Sequence, residues 1–471
     1  MNAVETPFRI AFSAAPARPT FTLAAGHHFR LYPIGINADL SERLPARLID
    51  LIRLGLAVHV VDGLISRSGC KAGYRTPVLE VEVWDTTFWK DPLVGRTIKS
   101  CLDFLSGDDN WQISFLSERA PVPEYQRHFF SEPSTVFLHS GGLDSVAGLA
   151  ARIRECQKHT FIPVTVRYQL TRGRLVRKQF ELIKRRYKIG DSRLLPLLVA
   201  AFVRNRRIFQ ELKLRTRGSC HRCRSFLLMI LGGVAAAVEG ADCLEVYESG
   251  IGAVNLPLQG QIIGWRTTRN THPYFLRMMS ELLTLVVERP ITIKLPFIHQ
   301  TKAEIVAMLA QEGLEDLARL STSCIVHPLR RPGLKPCGTC AACIYRRYAL
   351  QSARIEEAPG TYHEDIFGLR EQFKTIPERK LSALKAFLAQ ATQLEHLQAG
   401  IATPQWFRQH LLRTRVVESE PAIDQFIDIF SRYGKEWKAL VALGQERGWP
   451  WANWFAPLES NFQEGINRAS A

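Results

Sequence analysis

The residues best suited to chemistry form a short run that begins one residue beyond the apolar segment Thr135–Leu138. The run consists of Ser140, Gly141, Gly142, Leu143, Asp144 and Ser145. Adjacent glycines let a backbone approach an anion closely, and a helix starting there offers free N–H groups and the positive end of its dipole. The serine hydroxyls add donors, and Asp144 is suited to orient a metal ion, or a phosphate-bound water through a neighbour. The run predicts a strand, a phosphate-sized turn and a helix start, with an ordinary glycine-rich turn as the alternative.

Four thiols further along the chain have the spacing of a metal site. Two residues separate each of Cys337, Cys340 and Cys343 from the next, and Cys324 lies twelve intervening residues upstream. Two-residue gaps let a tight knuckle present successive sulfurs to one ion. Four thiols at this spacing suit tetrahedral Zn²⁺, and because four thiolates leave no open position, the metal would be structural. An iron–sulfur cluster and chance thiols are the alternatives.

The whole chain has the composition of a globular protein. Its 471 residues are 46% hydrophobic and 23% charged, which allows two or three domains with a large buried core. Ten cysteines in this length do not suggest a disulfide scaffold. The first residues lack a basic segment followed by an apolar one, and no apolar run reaches membrane-spanning length, so a cytoplasmic protein is expected.

The net charge of +16 is concentrated in one stretch. Between Arg167 and Arg217 there are 16 Lys and Arg residues against three acidic ones. Such a stretch could steer polyphosphate, nucleic acid or an acidic protein. Because apolar residues are interleaved with the basic ones, a solvated helix face is an equally good interpretation.

From about residue 131 the sequence alternates apolar strand-like runs with helical patterns, which predicts a parallel, doubly wound α/β sheet. The predicted strands are Val136–Leu138, Phe161–Val166, Leu194–Val199, Cys243–Tyr247 and Ile291–Leu295. The predicted helices between them include Phe226–Glu239 and Tyr274–Glu288. Thr301 and Glu304 have the spacing of a capping box and predict a further helix.

Two regions flank this predicted sheet. Residues 1–130 mix strand-like and helical patterns and are expected to form a separate α+β module, with a boundary near Pro121–Pro123 or Ser131–Pro133. Residues 131–350 would form the central domain, which includes the four cysteines. Residues 351–471 become helical and charged, which predicts a C-terminal helical domain.

The run Ser140–Ser145 resembles the SGGxDS loop of the PP-loop ATP pyrophosphatases. Together with the downstream cysteines, the chain resembles the 7-cyano-7-deazaguanine synthase (QueC) family over roughly residues 131–350. The resemblance implies a PP-loop fold with a zinc knuckle, and an enzyme that uses ATP and Mg²⁺ and releases AMP and pyrophosphate. In that family, 7-carboxy-7-deazaguanine is adenylated, takes up ammonia and is dehydrated to a nitrile.

The resemblance also implies roles for single residues. Those expected to bind ATP are His139, Ser140, Gly141, Gly142, Leu143, Asp144 and Ser145. Those expected to bind zinc are Cys324, Cys337, Cys340 and Cys343. The expected catalytic residues are Asp144, Lys302 and Arg224. Lys302 and Arg224 are expected to act as cations that neutralise developing charge. For Lys302, a solvated side chain on a capped surface helix is the alternative.

Some segments depart from the pattern of the housekeeping enzyme. Ser225 stands where the family usually has Asn, and the residues after Glu248 lack the usual Tyr-Pro-Asp-Cys segment. With its added terminal regions, the chain looks more like the larger QueC-like proteins of bacterial antiphage systems, the QatC type. On that basis the candidate substrate residues are Arg222, Ser225, Glu248, Asn255, Thr268 and His272.

The resemblance thus implies a ligase that adenylates the carboxylate of a deazaguanine-type base and transfers it to an amine. The amine would belong to ammonia or to a partner protein from a defence operon, and the extra domains favour the protein. One alternative is a PP-loop tRNA-modifying enzyme of the thiolation or lysidine-synthetase type, which salt-sensitive tRNA binding would reveal. Another is a nucleotide-binding scaffold of a defence complex, which AMP release would exclude. Nucleic acid is the less favoured partner, and no membrane contact is expected.

Overall fold

The computed structural model is a mixed α/β fold, with two β-sheets among the residues that it describes. The residues that it describes are 9–13, 20–24, 27–34, 44–66, 75–108, 110–118, 133–167, 170–203, 205–211, 222–256, 269–325, 335–368, 370–397, 404–419 and 422–454. The strands are β1 (Arg9–Ser13), β2 (Phe21–Ala24), β3 (Phe29–Ile34), β4 (Val78–Val83), β5 (Gln112–Ser117), β6 (Ser134–Leu138), β7 (Thr160–Arg167), β8 (Leu197–Val203), β9 (Cys243–Val246) and β10 (Thr292–Lys294).

Helices separate most of these strands. They are α1 (Ala46–Leu64), α2 (Thr86–Trp89), α3 (Pro92–Ser106), α4 (Leu143–Glu155), α5 (Leu170–Tyr187), α6 (Asn205–Glu211), α7 (Arg224–Val238), α8 (Gly250–Val254), α9 (Pro273–Val287), α10 (Lys302–Gln311), α11 (Glu315–Leu320), α12 (Ala341–Ser352), α13 (Arg370–Lys374), α14 (Ser382–Glu395), α15 (Gln405–Arg413) and α16 (Ile423–Glu446). Among the helices in the described part of the chain, none combines the length and apolar character needed to cross a membrane.

The larger sheet contains the strand β6, which leads into the Ser140–Ser145 loop. Its strand order is β10-β9-β6-β7-β8-β3, parallel from β10 to β8, with β3 antiparallel to β8. The chain order reverses at β6, because β7 and β8 follow on one side and β9 and β10 on the other. Open parallel sheets bind ligands at the carboxyl ends of the strands where the order reverses. The loop follows β6 and Glu248 follows β9, so both lie at this point.

The predicted α/β class with a parallel sheet is confirmed. The predicted strands are present, with shifted ends. β8 begins at Leu197 rather than at Leu194, because Pro196 has no N–H for the strand ladder. Leu194 keeps a single bridge with Phe161. The predicted capping box is also present: Thr301 Oγ1 accepts from Glu304 N at 3.2 Å, and the Glu304 carboxylate accepts from Thr301 N at 2.9 Å.

Both faces of the larger sheet are covered. Helices α1, α7 and α9 share one hydrophobic core with sheet residues that include Ile162, Val164 and Leu244. Helices α4, α5 and α10 share a second core with residues that include Phe137 and Phe161. Parallel strands buried on both faces require this three-layer arrangement.

The N-terminal residues build the smaller sheet and also reach the larger one. The smaller sheet has the order β2-β1-β4-β5, in which only the β4–β5 pair is parallel. β3 instead pairs with β8. α1 lies so close to α7 that a Cβ on Gly55 would be 2.8 Å from Ile230 Cδ1. The domain boundaries placed near residues 130 and 350 stay predictions.

The helices after residue 350 pack against the rest of the protein through α16. Trp437 on α16 stacks on Tyr348 of α12, with ring centroids 5.0 Å apart. The same helix lies very close to the end of α14, because a Cβ on Gly434 would be 2.3 Å from Glu395 N. These contacts link α14 and α16 to α12 of the sheet region.

We expect Gly434→Ala to lower the free energy of unfolding by about 1–3 kcal/mol, because the added methyl group would overlap the backbone of α14. Gly95→Ala is the matched control, since Gly95 is an exposed glycine inside α3 whose Cβ would have no described atom within 4 Å apart from its chain neighbours and the backbone of α3 itself. Alanine there should stabilise α3 by about 0.5–1 kcal/mol. Urea unfolding measures both. Equal stabilities of the two variants would contradict the close packing of α14 and α16.

Candidate functional site

The loop after β6 makes a tight turn into α4. Gly141 has φ of +77°, and a Cβ there would lie 3.2 Å from Val176 Cγ2, so both conformation and space favour glycine. Ser140 Oγ accepts from Gly142 N at 3.2 Å, and Ser145 Oγ donates to Gly142 O at 3.0 Å. α4 starts directly behind Gly142, so its first N–H groups lie at the loop. This arrangement suits an anion bound by backbone donors.

Buried polar residues beneath the loop fix its shape. Gln179 Nε2 on α5 donates to Gly141 O at 3.1 Å, so Gln179 Oε1 is the acceptor for His139 Nε2 at 3.1 Å. Thr165 Oγ1 donates to His139 O at 2.8 Å. His139 is 1% exposed and lies under the loop as a support. No motif marks Gln179 or Thr165 in the sequence.

Lys302, the first residue of α10, brings two carboxylates together. Its buried ammonium group forms an ion pair with Asp144 and lies 3.7 Å from Glu248 Oε1. Burial alone would lower the pKa of Lys302, but Asp144 and Glu248 outweigh it and hold this pKa above its ordinary value. Burial and the neighbouring Asp144 raise the pKa of Glu248 to about 8. Perturbed groups that come together are candidates for a functional site, and we call the site formed by Asp144, Glu248 and Lys302 the crevice.

Tyr345 and Ser249 close the crevice around Lys302. The Lys302 Nζ atom lies 5.0 Å from the centroid of the Tyr345 ring, and Tyr345 OH is 2.9 Å from Ser249 Oγ. Ser249 also caps α8 by accepting from Gly252 N at 3.3 Å. A Cβ on Gly252 would lie 2.2 Å from Glu248 Oε1, so glycine makes room for this carboxylate. Tyr345 was not predicted, although its place two residues after Cys343 was a partial signal.

Ser225 and Arg222, two candidate substrate residues, lie at the start of α7. Ser225 is buried and donates to Asn270 Oδ1 at 2.9 Å. Arg222 donates to Ser106 O at 2.7 Å, at the C-terminus of α3, where a cation is favourable. Arg224 is exposed on the first turn of α7. The start of α7 is thereby joined to α3 and to the residues before α9.

His272, another candidate substrate residue, caps α9. Its Nδ1 accepts from Tyr274 N at 3.3 Å, so the proton of the neutral ring is on Nε2. His272 is 3% exposed, and its Nε2 has no hydrogen-bond partner among the described residues. Burial, with a smaller effect of the nearby charge of Arg269, lowers the pKa of His272 to about 3. The ring is therefore neutral and offers a buried N–H group.

The remaining candidate substrate residues are Asn255 and Thr268. Asn255 ends α8 in the left-handed conformation with φ of +47°, which Asn adopts more readily than most residues. Its place at the end of the helix that Ser249 begins puts it on the same short element as the Glu248 crevice. Thr268 lies outside the described residues.

The four cysteines come together as predicted. Their sulfur atoms all lie within 4.8 Å of one another, and Cys337 Sγ and Cys343 Sγ are 3.9 Å apart. Four sulfurs at about 2.3 Å from one tetrahedral ion would be about 3.8 Å apart, so the cluster can hold zinc. Cys324 Sγ accepts from Cys337 N at 3.4 Å, and Cys337 Sγ accepts from Cys340 N at 3.3 Å. Such N–H donors stabilise thiolate ligands.

The cysteine cluster borders both the loop and the crevice. Cys324 lies two residues after Thr322, whose N–H donates to Gly141 O at 3.3 Å. α12 begins directly after Cys340 and carries Tyr345 in its second turn. A metal bound by the cysteines would therefore hold two elements of the site in place.

A second group of ligand-type residues has a different explanation. The ligand atoms of His27, His28 and Glu211 also lie within 4.8 Å of one another. His28 Nδ1 accepts from Ala24 N at 2.9 Å, so its Nε2 carries the proton that it donates to Glu211 Oε2 at 2.8 Å. Arg207 donates to Glu211 Oε1 at 2.7 Å. These hydrogen bonds account for the group without a metal.

The basic stretch falls partly on α5. Arg174, Arg177, Lys178 and Arg185 are exposed there, at spacings that place them on one side of the helix. Both interpretations of the stretch, a solvated face and a polyanion contact, stay predictions.

The comparisons with known proteins point to the second half of the site. The family model of "Queuosine biosynthesis protein QueC" matches residues 269–354. These residues run from before α9 to the end of α12 and include Lys302, Tyr345 and all four cysteines. The match supports a QueC-like relationship. It suggests an ATP-using enzyme of the QueC type. A comparison with curated proteins gives no match.

Replacing Cys343 by Ser should remove one ligand of the cluster. We expect the zinc content of the purified protein to fall from about one ion per chain to well below half of that, because three thiolates bind Zn²⁺ more weakly. Cys156→Ser, which changes a free cysteine outside the cluster, is the control and should keep the metal. Elemental analysis measures both. Full zinc content in Cys343→Ser, or none in the parent protein, would contradict a zinc site.

The stability of the protein should depend on pH through His272. Because the pKa is about 3 in the folded protein and about 6.5 in an unfolded chain, the unfolded state binds more protons below pH 6.5. His272 therefore costs stability as the pH falls, by up to about 2 kcal/mol at pH 5.

His272→Asn keeps a capping acceptor for α9 and removes the titration. Its free energy of unfolding should therefore fall less than that of the parent protein between about pH 7.5 and pH 5. Urea unfolding at the two pH values measures the difference. An equal fall in both proteins would show that His272 does not stay neutral when folded.

Proposed function

We propose that this protein is a QueC-like ligase that adenylates the carboxylate of a 7-deazaguanine-type base with ATP and passes the activated group to an amine. The observation that carries the proposal is the ion pair between Lys302 and Asp144. Lys302 lies inside the residues that match the QueC family model, whereas Asp144 lies in the loop outside them. The ion pair joins these two parts in one crevice and supports a PP-loop fold for the sheet region.

The loop is suited to the polyphosphate of ATP. The N–H groups at the start of α4 and the hydroxyls of Ser140 and Ser145 would bind the β- and γ-phosphates. The substrate carboxylate attacks the α-phosphorus, a new oxygen–phosphorus bond forms, and pyrophosphate leaves in line. Lys302 would neutralise the charge that develops on the leaving group, with Arg224 as a second cation.

The described residues offer ligands for the expected metal ions. Asp144 Oδ1 is buried and has no hydrogen-bond partner among the described residues, which fits an oxygen ligand for Mg²⁺. Glu248 supplies a second carboxylate in the same crevice. A bound Mg²⁺ would reduce the charge of the leaving pyrophosphate. The four cysteines would hold Zn²⁺ as a structural ion, because four thiolates leave no position for a substrate.

The starts of α7 and α9 are proposed to bind the base. The Nε2–H group of His272 is a buried neutral donor, suited to a carbonyl or ring nitrogen of a purine-like base. Ser225 and Asn270 already hydrogen bond to each other and could exchange that bond for bonds to the base. A buried site with polar groups of this kind discriminates strongly against a ligand that leaves them unpaired.

In the second step the amine nitrogen attacks the acyl carbon, a carbon–nitrogen bond forms, AMP leaves, and the amine loses a proton. We favour an amine of a partner protein over ammonia, in the setting of the QatC-type antiphage systems. The support is that the smaller sheet and the helices after residue 350 exceed what a small acceptor requires.

The protein should release AMP and pyrophosphate when it is mixed with ATP, Mg²⁺ and 7-carboxy-7-deazaguanine. Asp144→Asn and Lys302→Met should each lower this rate on the order of 100-fold, because Asn is a weaker ligand for Mg²⁺ than Asp and because Met removes the cation that stabilises the leaving group. Lys178→Met is the control, since this exposed lysine on α5 loses the same charge outside the crevice. Chromatography of the nucleotides gives the rates, and circular dichroism checks folding.

The acceptor is identified by mass spectrometry of a partner protein co-expressed with this one. An added deazaguanine mass that disappears with Asp144→Asn supports the protein acceptor, and an amide or nitrile of the free base assigns ammonia instead. No AMP release with ATP and the base would overturn the proposed function.

A further inference from the structure

Glu436 of helix α16, 135 residues after Thr301 in sequence, contributes a carboxylate to the start of α10. Thr301 Oγ1 donates to Glu436 Oε1 at 2.6 Å, and Tyr348 OH donates to Glu436 Oε2 at 2.5 Å. Thr301 caps α10 and directly precedes Lys302. Tyr348 lies one turn after Tyr345 on α12, and their rings stack at 5.6 Å. One side chain of α16 therefore binds both elements that surround the ammonium group of Lys302.

The negative charge of Glu436 fixes the direction of the hydrogen bonds in the cap. A hydroxyl group has one hydrogen atom, and Thr301 donates it to Glu436, which leaves the Thr301 lone pairs for Glu304 N. Arg432, one turn earlier on α16, forms an ion pair with the Glu304 side chain that completes the capping box. Both residues of the capping box are thus bound by α16, because Glu436 accepts from Thr301 and Arg432 pairs with Glu304.

We propose that Glu436 is a positioning residue for Lys302, acting through Thr301 and Tyr348, so that α16 is part of the ATP site. The inference rests on the proposed function, in which Lys302 acts on the phosphates of ATP. Lys302 is the first residue of α10, so a shift of the first turn would move its ammonium group relative to Asp144 and the loop. Misplacing a charged group by about 1 Å costs up to about 100-fold in rate.

Protonation of Glu436 would weaken this arrangement, because a neutral acid cannot accept fully at both oxygens. Burial raises the pKa of Glu436 to about 7, and the hydrogen bonds from Thr301 and Tyr348 oppose the rise. Glu304 raises this pKa further and Arg432 lowers it. The groups that face Glu436 from α10, α12 and its own helix are Thr301, Glu304, Tyr348, Arg432 and Tyr433. The ionised form is the competent one, so the rate should fall as the pH drops through about 7.

The test compares Glu436→Gln with Glu446→Gln, which changes an exposed glutamate at the end of the same helix. Thr301 and Tyr348 donate to different oxygens of Glu436, and glutamine has an NH2 donor in place of one of them, so in the same position it can accept from only one of the two hydroxyls. ATP–pyrophosphate exchange gives kcat and the KM for ATP, and hydrogen–deuterium exchange reports the amides of residues 302–305. We expect Glu436→Gln to lower kcat about tenfold with a smaller change in KM, and to speed the amide exchange several-fold. Glu446→Gln should change neither.

Two further variants separate positioning from general stability. Thr301→Ser keeps the hydroxyl and should retain kcat, whereas Thr301→Val should reproduce the loss seen with Glu436→Gln. Because Glu248 beside Lys302 has a pKa raised to about 8, its protonation should lower kcat in both proteins. The further fall near pH 7 should be present in the parent protein and absent from Glu436→Gln.

Unchanged amide exchange in Glu436→Gln would overturn the inference, whatever its kcat and KM. If the parent protein is active, an unchanged kcat in Glu436→Gln would overturn it as well. If the parent protein shows no ATP–pyrophosphate exchange, the proposed function fails. The amide exchange then decides by itself whether Glu436 holds the first turn of α10.

Discussion

The ion pair between Lys302 and Asp144 is the interaction on which the arrangement of the crevice depends. An ammonium group removed from water needs carboxylates within reach, because an unpaired buried charge costs on the order of several kcal/mol. Asp144 approaches from the end of β6 and Glu248 from the end of β9, the two strands at which the sheet order reverses. Lys302 approaches from α10. Its ammonium charge is therefore balanced by the carboxylates when α10 is correctly placed relative to the ends of the two strands. The electrostatics thus restrict how α10 can pack on the sheet.

Helix α12 connects the two structures that support this ion pair from outside. Its first turn follows Cys340 and contains Cys343, so the cysteine cluster fixes one end. Tyr348 in its second half binds Glu436 of α16. Tyr345 lies between these points and faces Lys302. A helix held at both ends moves little, which lets the Tyr345 ring define one wall of the crevice.

Local patterns predicted much of the fold around the site, and the contacts between distant residues could not be predicted. The strand before Ser140, the capping box at Thr301 and the cysteine cluster each depend on residues that are close to one another in sequence, and all three are present. Gln179 binds the loop across 38 positions and Glu436 binds Thr301 across 135. A hydrophobic pattern shows which face of a helix is buried but not which polar side chain it meets there.

The strand pairing at the edge of the larger sheet could not be predicted from the sequence either. Nothing in the short β3 segment indicates that it pairs with β8, whose register runs from Phe29 opposite Val203 to Ile34 opposite Leu198. β8 reads Leu-Leu-Val-Ala-Ala-Phe-Val and contains no charged residue. An uncovered strand of this composition is a template for pairing between molecules. Because β3 pairs with β8, it covers this edge against pairing with another molecule. A fragment that begins near residue 130 would keep the Ser140–Ser145 loop and the four cysteines but would lack β3, so the edge of β8 would be unpaired and we expect the fragment to self-associate.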